Sequence, residues 1–143
     1  MRSGPWSPTQ IESWLDATVI PLRVASAGKR GPLVQSLWFQ YASGALWCAT
    51  QRDSVLARRI QRDANVGWEV SPDEPPYRGV RGTGHAHVVD DAAQVSAVLT
   101  DLISRYGQAD TQLATWLLGR VESEVAVRIE DLRVTSWDFS SRM

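Results

Sequence analysis

The sequence predicts a mainly β domain of the α+β class, with helices set between and around its strands. Three observations carry that reading. Apolar residues alternate with polar ones at Val66, Trp68, Val70 and again at Val125, Val127, Ile129, the period of a strand with one buried face. Spacings of three and four residues take over in separate short segments, which are the helices. Turn chemistry at "AGKRG" (27–31) and "ASG" (42–44) cuts a long β-favouring stretch into pieces of strand length.

Taken in order, Ser7-Pro8 is an N-cap followed by proline at the first helical position. Ile11, Trp14, Leu15 and Thr18 keep helical spacing after it, so a helix is expected over 8–18. Residues 20–51 read as a meander of three strands, with Trp38, Phe39, Tyr41 and Trp47 suited to a pleated, half-buried surface. At Asp53 the period changes. Leu56 with Ile60, and Ser54 with Arg58, stand four apart and predict a helix over 53–63. A fourth strand covers 65–71, and Asp73 to Pro76 makes a rigid corner, because proline cannot continue a central ladder. The fifth strand runs from about Tyr77 to Val89. Val95, Val98, Leu99, Leu102, Ile103 and Tyr106 stripe a helix over 91–106 closed by Gly107, a second helix spans 110–119, and the sixth strand lies in 124–139. The whole is expected to be one domain over 1–143, with its barrel-like core at 20–90.

Composition narrows the function classes. Lys and Arg number 15 against 16 Asp and Glu, a formal net charge of -1, which argues against a general nucleic-acid binder. The single cysteine, Cys48, excludes an internal disulfide and a cysteine metal cluster. With no apolar run near 18 residues and no signal-peptide pattern after Met1, a cytoplasmic protein without membrane contact is expected.

Two stretches carry candidate chemistry. "CATQRDS" (48–54) joins the third strand to a helix start, where unpaired amide N–H groups and partial positive charge attract phosphate. Thr50, Arg52 and Ser54 add donors there, with Arg58 one turn on; an ordinary capped helix with a solvated basic face explains the same residues. In "DEPPYRGVRGTGHAHV" (73–88), Gly79, Gly82 and Gly84 form no P-loop or dinucleotide fingerprint, since no lysine follows and no helix opens. Alternation puts Gly82, Gly84 and Ala86 on one face and Arg81, Thr83, His85 and His87 on the other. The glycine strip admits either a flat ligand or partner subunit, or simply a neighbouring strand. His85 and His87 are too few for a metal site and suit a polar face. Cys48 reads as a buried thiol, and the seven tryptophans mostly as core. No nucleophile–base pair and no paired carboxylates stand out.

The succession "SLWF", "ATQRDS", "RRIQRD" and "YRGVRGTG" resembles the pyridoxamine 5′-phosphate oxidase-like split β-barrels, which use flavin or the deazaflavin F420. The resemblance covers roughly 20–91, and "VTSWDFSSRM" is similar to the tail of that group. It implies a six-stranded Greek-key split barrel with flanking helices, a homodimer, and a cofactor (FMN or F420) at the subunit interface. By position it assigns Gln35, Ser36, Leu37 and Trp38 to the ring, and Thr50, Gln51, Arg52, Ser54 and Arg58 to the phosphate segment. Arg81 and Trp137, or Arg142, are assigned to the partner's side. It implies an oxidoreductase acting on a small organic substrate, or a barrel that carries, stores or senses flavin, F420 or haem without turnover. One departure stands out: where relatives carry a basic residue two positions after the serine, this chain has Leu56, and Arg58 or Arg59 is expected to supply the charge instead.

Overall fold

A computed structural model describes residues 2–143. β1 (Arg2–Ser3) precedes α1 (Pro8–Ala17). At the start of α1, Ser7 Oγ accepts from the Gln10 amide at 3.3 Å and Gln10 Oε1 accepts from the Ser7 amide at 2.8 Å, a reciprocal capping box. β2 (Leu22–Ser26), β3 (Leu33–Leu37), β4 (Gln40–Ala42) and β5 (Ala45–Gln51) follow. α2 (Val55–Arg62) leads into β6 (Asn65–Val70) and β7 (Arg78–Val89). α3 (Ala92–Arg105) and α4 (Gln112–Leu118) come before the long β8 (Glu124–Asp138).

The six expected strands are eight, and the expected meander is not one. β1 is a two-residue strand pairing parallel with β8, Arg2 opposite Val134. The more consequential change lies in "QSLWFQYA", which divides into β3 and β4 with only Trp38 and Phe39 between them. β3 pairs with β2, and β4 pairs with β5; the sheet order is β3-β2-β6-β7-β8-β5-β4. Successive pieces of one chain therefore occupy the two ends of the sheet, which must curl until those ends meet. Continuous β propensity conceals the break, because it does not specify the partner strand. At the break Phe39 is fully buried, and its amide donates to Tyr106 Oη at 3.2 Å instead of to a ladder.

Inward alternation fills the barrel. Leu22 and Val24 from β2, Leu46 and Cys48 from β5, Trp68 from β6 and Ile129 from β8 share one core, and Leu56 and Ile60 of α2 close its end. A second cluster sits outside the sheet, where Val95, Val98, Leu99 and Leu102 of α3 cover Ala126 of β8 with Trp47 and Ala49 of β5 alongside. The glycine strip of β7 belongs to the first layer. A Cβ at Gly84 would stand 2.8 Å from Ile129 Cγ2, and one at Gly82 would strike the Arg133 carbonyl and lie 3.1 Å from Trp68 Cζ2. On its inner side the strip admits this chain's own β8 and Trp68, as the neighbouring-strand reading expects. No described helix is long and apolar enough to cross a membrane.

Candidate functional site

The β4–β5 ladder places Ala42 opposite Ala45, Tyr41 opposite Leu46 and Gln40 opposite Trp47, and there it stops. Continued in the same register it would set Trp38 against Ala49, Leu37 against Thr50, Ser36 against Gln51 and Gln35 against Arg52. Those pairs are not made: 35–37 belong to β3, bonded to β2 on its other side. The barrel is thus unzipped along one seam. Its lips are 35–38 and 49–52, the two segments the sequence marks for a ring and for a phosphate. Strand edges left unpaired in this way present backbone N–H and C=O groups to whatever enters.

On the first lip, Gln35 shares the inward face with its partner Val24, and its Oε1 is buried without a hydrogen-bond donor. Ser36 is exposed and Leu37 half-buried. Trp38 stacks on Tyr106, ring centroids 4.9 Å apart and planes within 10°. Tyr106 Oη in turn donates to the Ile20 carbonyl at 2.7 Å, and burial raises its pKa. Tyr106 thus holds the point where the chain passes from one end of the sheet to the other.

On the second lip the hydroxyls are engaged in capping α2. Thr50 Oγ1 donates to Ser54 Oγ at 3.0 Å, and Ser54 Oγ accepts from the Ala57 amide at 3.0 Å. Arg52 is held elsewhere: its guanidinium bonds the Asp90 carboxylate and donates to the Glu122 carbonyl at 3.0 and 3.3 Å. The pairing keeps Asp90 below the usual carboxylate range and raises Arg52. Gln51 is exposed beside Glu124 of β8. Leu56 is buried in the core, so that position has no room for a solvated charge. Of the two arginines expected to compensate, Arg59 donates to the Ser26 and Gly31 carbonyls of the β2–β3 turn, at 3.2 and 3.3 Å. Arg58 is exposed and makes no side-chain hydrogen bond or ion pair among the described residues. It is the free cation next to the lip.

Arg81 and Trp137 lie away from the seam. Both face outward on the sheet, Arg81 opposite Glu69 and Thr135, and Trp137 opposite Gly79 with its Nε1 buried and unpaired. They sit at the opposite end of β8 from Glu124, the residue that pairs with Gln51. Near Arg81 the outer face of β2, β6, β7 and β8 forms an open groove of about 600 Å³, lined by Ala25, Gly67, Thr83 and Arg133 among others. His85 and His87 pair with carboxylates instead of converging: His85 Nδ1 is 3.2 Å from Asp131, and His87 Nε2 is 3.1 Å from Glu130. Among the described residues no group of three or more His, Cys, Asp or Glu is placed to hold a metal. Sequence reading missed Asp90 as the partner of Arg52, Tyr106 as the clamp, and Glu124. Only Tyr106 left a signal, as the polar-tipped end of an apolar helical stripe.

No family model matches the chain, and no curated protein does. Solved structures do. A conserved hypothetical protein from Mycobacterium tuberculosis superposes with a TM-score of 0.82 at 23% identity, covering 97% of this chain and 89% of that one. An F420 reductase superposes at 0.71 with 21% identity, covering 87% and 94%. This chain is a split β-barrel. A FAD-binding protein from Mesorhizobium loti gives 0.69 at 17% identity over 92% and 93% of the two chains. At these identities the likeness is one of fold.

Proposed function

We propose that the seam of this split barrel holds a flat tricyclic redox cofactor, FMN or F420, and that the chain is an oxidoreductase acting on a small organic substrate. The observation that carries the reading is the seam itself, since both segments marked for cofactor contact form the lips of one opening. The residues on the lips fit such a group. Gln35 offers a buried amide oxygen lacking a donor, the complement of an imide N–H at the edge of the ring. Leu37 and Trp38 supply an apolar wall, and the first turn of α2 with Ser54, Thr50 and Arg58 supplies amide, hydroxyl and guanidinium donors for a phosphate. Arg52 joins that set on exchanging Asp90 for the phosphate.

When bound, the tricycle supplies hydride or electron transfer. The chain's part is to orient it between the lips, keep water from its apolar wall and neutralise its phosphate. Cys48 does not serve as a nucleophile, because burial pushes its thiol up to about 12. Arg81 and Trp137 are too far along β8 to meet the same ligand from the same chain. Their contribution calls for a second copy docked on the outer groove, and a homodimer is part of the proposal.

The test is an absorbance and fluorescence spectrum of the purified protein, followed by titration with FMN and with F420. Saturable binding of one of them, weakened in an Arg52→Ala/Ser54→Ala double variant, supports the site. A colourless protein that binds neither, or unchanged affinity in the double variant, refutes it. Binding without turnover of any acceptor would favour the carrier or sensor role over the enzyme.

A further inference from the structure

Behind the seam lies a cavity of about 270 Å³ between the sheet and the helical pair. Trp38 of the first lip, Leu102 and Ile103 of α3, and Leu113 and Leu117 of α4 wall it, and Glu124 of β8 is its one ionisable side chain. Glu124 faces the α3 side of the sheet, the face on which its strand neighbour Ala126 packs into an entirely apolar cluster. It is 4% exposed, and its carboxyl makes no hydrogen bond among the described residues. The nearest cation, Arg120, holds Nη2 at 3.9 Å, outside hydrogen-bond reach, because its guanidinium lies over the Trp116 ring at 4.1 Å.

A carboxyl largely withdrawn from water among leucines, with no hydrogen-bond donor and only the loose Arg120 ion pair to offset its charge, is costly, and an aliphatic residue there would complete the packing at no such cost. Burial accordingly raises its pKa. Local rules broken at an interior cavity mark functional positions. An apolar cavity of about 150 Å³ suffices for benzene, so this one suits a fused bicyclic frame. Leu113 and Ser36 at its margin are exposed, so the space communicates with solvent.

We infer that this cavity is a binding site for a small apolar amine, its bicyclic-sized body among the α3 and α4 leucines and its ammonium group on Glu124. Trp38 and Ser36 belong to both the cavity and the seam. The inference therefore rests on the seam reading for its role as a substrate subsite, but not for binding. For that reason binding is measured on protein without added cofactor, and failure here leaves the cofactor titration standing, as failure there leaves this site standing.

The probes are 2-aminoindane and its amine-free parent indane, followed through Trp fluorescence and calorimetry. The expected result is saturable binding of 2-aminoindane, weakened about tenfold or more by Glu124→Gln, which keeps the shape and removes the charge. Indane should bind more weakly than 2-aminoindane to the natural protein and equally to the natural protein and Glu124→Gln. Leu117→Trp, which fills the cavity, should abolish both. Thermal midpoints of both variants check that the fold is kept. Equal affinity for the two probes, 2-aminoindane affinity unchanged in Glu124→Gln or in a folded Leu117→Trp, or no binding at millimolar concentration would each overturn the proposal.

Discussion

Replacing Gly82 with alanine, beside the same change at Gly67, tests what the glycines of the sheet are for. Gly82 sits opposite Trp68 on one side and Val134 on the other, in the centre of the sheet. A Cβ there points at the Arg133 carbonyl, a backbone atom that cannot swing away, with Trp68 Cζ2 3.1 Å distant. Relief requires the β7–β8 ladder to part locally. Losing one ladder hydrogen bond costs about 1 kcal/mol, and overpacking adds about 1–3 kcal/mol, so Gly82→Ala should destabilise by about 2–4 kcal/mol. At Gly67 the nearest atoms are Ala25 Cβ at 3.8 Å and the Gly82 carbonyl at 3.9 Å, ordinary contact. Alanine there also restricts the unfolded chain, and a gain of about 0.4–1 kcal/mol is expected. Urea unfolding at constant m separates the two variants, and thermal midpoints should differ by roughly 10 °C in a chain of this size. If both behave alike, or Gly82→Ala is neutral and only ligand binding changes, the assignment of this strip to internal packing is wrong.

Three further outcomes follow from particular side chains. Leu56→Lys installs the basic residue that the resemblance expects two positions after Ser54 but drives it into the core, so unfolding should become easier by about 3 kcal/mol or more with no gain in FMN affinity; a stable variant with tighter binding would contradict this. Cys48 should resist thiol reagents in the native state at pH 8 and react stoichiometrically in denaturant, and rapid native labelling would show the thiol is not sealed in. Glu124 holds its proton more tightly folded than unfolded, so its contribution to stability is full below the ordinary carboxylate range and is lost as pH rises through its elevated pKa. Stability curves of the natural protein and Glu124→Gln should therefore diverge with rising pH, the natural protein losing more; parallel curves would refute the assignment.

Much of this was readable in the chain, for local reasons. The N-cap at Ser7, the α3 stripe and the alternation of β7 depend on neighbours within a few residues, and each lies where the pattern indicated. What escaped was decided at long range. Trp38 and Phe39 break a β-favouring run because different strands lie at its two ends, which no propensity encodes. Arg52 looked like a free phosphate ligand because its carboxylate partner, Asp90, comes 38 residues later. The neighbours of Gly82 and Gly84 come mostly from β8, about fifty residues on. The two lip segments were marked separately in the sequence, and that they face each other follows only from the curl of the sheet.

The two-residue passage at Trp38 and Phe39 gives the seam a shape as well as a place. One end is sewn shut by the Gln40–Trp47 pair, and from there the strands diverge toward Gln35 and Arg52. An opening fixed at its apex works as a caliper. Under the proposed function, a planar guest would advance until its thickness matched the gap, and a bulkier one would stop earlier, nearer the open end. Because Tyr106, at the C-terminal end of α3, pins the apex, the angle of the jaws is set by how α3 lies on the sheet, so a change in that packing would alter which guest is admitted without substituting any residue of the lips.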